Sequence, residues 1–134
     1  MNVDWDDCYL VGIEEIDAHH KKLIEMINKS YTLILKENIQ GELLQLLDEL
    51  IEYAKYHFAS EEKLMRKYRY HKIDMHMIEH FNFSNKVLTY RKESSGGKEY
   101  VSIDVFDFIM HWLIDHELKM DSEMGRFICT MQRI

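Results

Sequence analysis

Five histidines and two carboxylates, His20, His57, Glu61, His76, His80, His116 and Asp121, fall on the inward seam of an apolar helical rhythm, where solvated side chains do not belong. His57 with Glu61, and His76 with His80, stand four residues apart, one turn above each other on one helix face. Each pair can therefore aim two donors at one point, and imidazole with carboxylate suits iron, manganese or zinc. Energy favours a metal centre over a set of unrelated polar cores. An ionised carboxylate such as Glu61 in a dry interior costs several kcal/mol unless it is protonated, paired or bound to a cation. No lysine or arginine shares these stripes.

Seven nitrogen and oxygen donors are too many for one tetrahedral ion, and structural zinc prefers cysteine among its ligands. Two cations are the better count. If both carboxylates bridge, two octahedral ions share them and one solvent-derived bridge. The five imidazoles then divide as three and two, and one coordination position stays open.

The elements that must position these donors follow from the same periodicity. Stripes with steps of three and four run through Ile16, His20, Leu23, Ile27, Tyr31 and Ile34, then Leu47, Leu50, Ala54, His57, Glu61 and Leu64. Two more run through Ile73, His76, His80, Phe83, Val87 and Tyr90, and through Val105, Ile109, Trp112, His116 and Met120. The spacing predicts helices over about 17–37, 42–67, 72–92 and 102–125, with Asp17 and Ser102 as N-caps, Asn38 and Gly41 in a turn, a loop over 93–99 and Gly125 as a stop. Residues 1–13 are expected as an extended arm. Short connections between long helices give an all-α fold, an up-down-up-down antiparallel four-helix bundle, in one domain over 1–134.

Asp121 follows His116 by five residues, so a regular helix would turn it about 140° away. It reaches the cluster only through a helix end or a local widening of the turn. Spacing by itself favours a surface aspartate.

Composition narrows the function classes. A formal charge of −7 with interspersed lysines argues against a nucleic-acid partner. No apolar run approaches the length that spans a bilayer, and the acidic start MNVDWDDCYL is unlike a secretory signal, so a cytoplasmic protein is expected. Cys8 and Cys129 lie near opposite ends without CxxC spacing and are read as free thiols. A monomer is the preferred assembly. The nine methionines are read as core filler, and His71, His111 and Glu62 are expected outside the site, Glu62 solvated.

Taken in order, Trp5, Gly12, Ile16-Asp17-x-x-His20, His57-Phe58-x-x-Glu61-Glu62, His76-x-x-x-His80 and Trp112-Leu113-x-x-His116-x-x-x-x-Asp121 resemble the pattern of the bacterial branch of the hemerythrin family, over nearly the whole chain. Any one HxxxE or HxxxH pair is weak; the ordered set is specific. The resemblance implies a non-haem di-iron centre with a solvent-derived bridge that binds dioxygen reversibly at its open position. It implies His76, His80 and His116 on the six-coordinate iron, His20 and His57 on the five-coordinate one, and Glu61 and Asp121 as bridges. It also implies that Phe58, Trp112 and Leu113 shape the oxygen pocket, and it outweighs the surface reading of Asp121.

Two positions depart from the family pattern. His19 stands where glutamine is frequent and is expected as a solvated neighbour. Glu117 stands where an apolar pocket residue is frequent. Pointing outward, as a helical glutamate usually does, it leaves oxygen binding intact; pointing inward, it competes with oxygen or delivers protons to it. Three classes remain: an oxygen-binding module, which is preferred; a di-iron peroxidase or oxidase in which Glu117 modifies the open site; and a structural zinc protein.

Overall fold

The computed structural model describes residues 3–37, 39–96 and 101–133. The helices are α1 (Glu14–Ile34), α2 (Gln40–Lys67), α3 (Ile73–Ser95) and α4 (Val101–Trp112), which runs through a π-helical segment (Leu113–Asp121) into α5 (Ser122–Gln132). α1 packs on α2 and α4, α2 on α3, and α3 on α4, the ring expected of an up-down-up-down bundle.

The first helix starts three residues earlier than expected, and Asp17 is not its cap. Ile13 occupies that position without a side-chain hydrogen bond, while Glu14, Glu15 and Asp17 place negative charge in the first turn against the helix dipole. Asp17 turns its carboxylate to the arm instead and accepts the Val11 N–H at 2.7 Å. Asn28 fastens the arm further out, accepting from Val3 N at 2.7 Å and donating to Val3 O at 2.9 Å. Trp5 packs against the core, with the Lys21 ammonium 5.0 Å above its ring. The arm is extended except for one 3-10 turn, Asp7–Tyr9.

α2 ends in a Schellman turn. Tyr70 N donates to Met65 O at 2.9 Å, Arg69 N donates to Arg66 O at 3.3 Å, and Arg69 takes the left-handed conformation, φ 52. The accompanying apolar contact is Met65 with Tyr70, both buried. Gly41 lies inside α2 rather than in the turn before it, Ser102 lies inside α4, and residues 93–95 belong to α3. Asn38 and residues 97–99 fall outside the described residues.

Gly125 does not stop the last helix. It sits within α5 because the arm crosses it: a Cβ there would overlap the Val11 carbonyl oxygen and come within 2.9 Å of Val11 Cβ. The arm thus rests on α5 while hydrogen-bonded to α1.

The core has two parts. A large cluster includes Leu23, Ile27, Leu47, Leu50, Phe83, Val87, Val105 and Ile109. A smaller one holds Met65, Tyr70, Met124 and Ile128. Each fully buried aliphatic side chain contributes about 1.5–3 kcal/mol relative to exposure. The seven polar side chains of the seam occupy the level between these clusters.

Candidate metal centre

Each helix delivers its donors by the geometry of its own backbone. α2 stacks His57 and Glu61, and α3 stacks His76 and His80, by regular four-residue spacing. α1 contributes His20. The last pair needs the π segment: its extra residue per turn brings Asp121 under His116, and both are buried, His116 at 1% and Asp121 at 0% exposure. Met120, which a regular helix would have turned inward, is only partly buried. Of the two routes open to Asp121, the widened turn is the one taken.

The donors form two overlapping sets, in each of which the ligand atoms lie within 4.8 Å of one another. One is Glu61, His76, His80, His116 and Asp121; the other is His20, His57, Glu61 and Asp121. The two carboxylates belong to both.

Inside the cluster the atoms crowd without bonding. His80 Nε2 lies 2.9 Å from Glu61 Oε1, His76 Nε2 lies 2.8 Å from Asp121 Oδ1, and His116 Nε2 lies 3.0 Å from the same oxygen. None of these nitrogens has the direction of a hydrogen bond, and both Glu61 oxygens and His57 Nε2 also lack partners. A hydrogen bond does join His20 Nε2 to Asp121 Oδ2, at 2.9 Å. Buried nitrogens and oxygens unpaired in this number are rare in native interiors. They fit cations that would accept the lone pairs together.

Charge gives the same answer. Burial pushes Glu61 well above the usual carboxylate range, and the neighbouring Asp121 adds to it. Burial would raise Asp121 as well, but the imidazoles of His116, His20 and His57 hold its carboxyl well below its ordinary value. Burial lowers His57 to about 4 and, with His116 and His76 beside it, His80 to about 2, so both rings are neutral and able to ligate. For His20 burial works downward, but Glu117, Asp121 and Asp17 outweigh it and carry it to about 9. Among the described residues, every ion-pair partner of Glu61 and Asp121 is an imidazole.

The rings are held from outside. Glu62, expected in solvent, accepts from His80 Nδ1 at 2.9 Å, which leaves Nε2 unprotonated toward the cluster. His19, also expected in solvent, is half-buried with its Nδ1 3.0 Å from His57 Nδ1. Phe58 stacks on His80 with centroids 3.9 Å apart at 6°, and Trp112 stacks on His116 at 3.9 Å and 9°. Leu113 is buried in the large core cluster. His71 and His111 are at the surface.

Glu117 overturns the expectation of an outward glutamate. It is 1% exposed and accepts a hydrogen bond from the Tyr53 hydroxyl at 2.7 Å. Burial raises it to about 8, against the pull of His20; the Trp112 indole N–H lies near enough to favour its ionised form without hydrogen-bond geometry. Tyr53 is a buried group of the site that neither the stripes nor the family pattern singled out. It stands four residues before His57 and stacks on that ring at 4.9 Å and 14°, so the same four-residue step would have found it.

Residues 11–128 match the Hemerythrin HHE cation binding domain. The chain is 33% identical over 123 residues to a bacteriohemerythrin of Clostridium acetobutylicum, covering 89% of this chain and 95% of that one. It is 32% identical over 109 residues to a bacteriohemerythrin of Methylococcus capsulatus, covering 81% and 82%. A crystal structure of wild-type hemerythrin superposes with a TM-score of 0.84 at 28% identity, covering 94% of this chain and 97% of that one. Among the described residues no helix is long and apolar enough to cross a membrane. With a helical bundle around a buried histidine and carboxylate cluster able to hold metal, and with matches of this extent, the chain belongs to the hemerythrin family.

Proposed function

We propose that this protein binds dioxygen reversibly at a carboxylate-bridged pair of iron ions. The observation that carries this reading is the sharing of Glu61 and Asp121 between two donor sets, in a site where the inward nitrogens of His57, His76, His80 and His116 lack hydrogen-bond partners. His76, His80 and His116 would hold one ion, His20 and His57 the other, with the two carboxylates between them. Iron, when bound, supplies the electrons for reversible reduction of dioxygen.

The chain's own residues do the rest. Glu62 fixes the His80 tautomer, with Nε2 unprotonated inward, and His19 orients the His57 ring through its Nδ1. Phe58, Trp112 and Leu113, all buried, keep bulk water and its protons from the centre. Iron analysis of the anaerobically reduced protein, followed by optical spectra through cycles of oxygen admission and removal, tests the reading. Two equivalents of iron and a reversible spectral change support it. Fewer than two equivalents, or zinc with indifference to oxygen, overturns it.

A second reading, a di-iron peroxidase or oxidase, draws on the inward Glu117. It predicts sustained peroxide consumption with an added reductant, where an oxygen-binding protein turns over nothing.

A further inference from the structure

The His20 and His57 side of the cluster is one donor poorer than the other, and a third carboxylate stands beside it. Glu117 Oε1 is engaged by the Tyr53 hydroxyl. Its Oε2 is buried, has no hydrogen-bond partner and lies 3.7 Å from His20 Nε2. Because Tyr53 also stacks on His57, the hydroxyl, the carboxylate and that imidazole form one packed assembly.

Held as an anion, a buried carboxylate needs a countercharge. Among the described residues the ion-pair partner of Glu117 is His20. Once His20 Nε2 gives its lone pair to a metal ion, it has no proton there to offer Glu117. The positive charge left to answer the free oxygen is then the cation that His20 and His57 hold.

We propose that Glu117 is a third carboxylate ligand of this centre, with Oε2 closing the position left open on the ion held by His20 and His57 while Tyr53 retains Oε1. The proposal rests on the two-cation reading above. Glu117 lies outside the four-donor set, so it approaches from the His20 side and caps one ion rather than bridging the pair. Any external ligand must displace it. Glu117 is therefore the residue that sets which small molecules enter, and Tyr53 is a positioning residue that acts through it.

The test uses the whole protein loaded anaerobically with cobalt(II), and separately the diferric protein titrated with azide as a small anionic probe. Wild type is compared with Glu117→Gln, Glu117→Ile and Tyr53→Phe. The expected result is two bound ions in wild type and variants. In Glu117→Ile the visible cobalt absorption intensifies as a six-coordinate ion becomes five-coordinate, and azide affinity rises about tenfold or more. Glu117→Gln, nearly isosteric and so the safest to fold, shifts both readouts the same way by a smaller amount, and Tyr53→Phe by less again. If Glu117→Gln binds two ions with the cobalt spectrum and azide affinity of wild type, the proposal is wrong. Wild type that takes up fewer than two ions overturns the two-cation reading, a failure visible before any variant is compared.

Discussion

The five-donor side of the cluster and the four-donor side are surrounded by different chemistry. Around His76, His80 and His116 the neighbours are flat and mostly apolar: Phe58 covers His80 and Trp112 covers His116, with Glu62 as a polar brace. Around His20 and His57 they are polar: Tyr53, Glu117 and His19. One side is built to fix a cation in place, and the other has groups that can exchange protons or ligands with whatever occupies it. Under the proposed di-iron reading, small-molecule chemistry belongs to the His20 and His57 side, since dense apolar packing leaves little freedom to the other.

Both sides depend on Asp121, so the comparison breaks most completely if that residue is moved. An alanine inserted between Met120 and Asp121 sets Asp121 six residues after His116 and carries it off the shared face. The prediction is loss of both ions with helical circular dichroism largely retained, and metal analysis beside the spectrum checks it. Asp121→Ala gives the same loss of metal without disturbing the register. Stripping the metal from wild type with a chelator leaves buried carboxylates uncompensated; for binding about a thousandfold above its Kd the lost linkage is ~4 kcal/mol. At this chain length that lowers Tm by roughly 10–20 °C, and calorimetry of the two forms measures it.

Finer changes should separate the sides. His20→Ala removes a donor from the poorer set alone, so the protein should retain one ion per chain; retention of both ions, or loss of both, would erase the distinction. Glu62→Gln weakens a brace without touching a donor. It should reduce affinity on the five-donor side by about tenfold to a hundredfold, read by competition with a chelator of known strength.

How much of this could be read from the residues depended on backbone regularity. The stripes and the pairs His57/Glu61 and His76/His80 were visible because the α-helix repeats faithfully through α2 and α3. The same rule misled at the last helix: it turned Met120 inward and Asp121 outward, and only the ordered resemblance argued for Asp121. A π turn has no sequence signature in a single chain. Glycine at 125 suggested a helix end, whereas its small size serves the crossing of Val11, a contact 114 positions away along the chain that no local rule reports. Asp17 looked like a cap and braces the arm. Glu117, His19 and Glu62 were expected in solvent because charged and polar helical residues usually are. The full burial of Glu117 and the partial burial of His19 and Glu62 follow from what the neighbouring helices place opposite them, which composition does not encode.

The flat rings over the imidazoles bear on time as well as on position. Phe58, Trp112 and Tyr53 each lie against a histidine whose inward nitrogen is buried, so an ion that enters or leaves along these rings has to move their planes apart. Exchange with the surroundings must wait for the helices to part locally, an event governed by the opening free energy of the bundle rather than by diffusion. Metal once seated would leave slowly even under a strong chelator, and the folding chain would capture it more readily than the finished bundle.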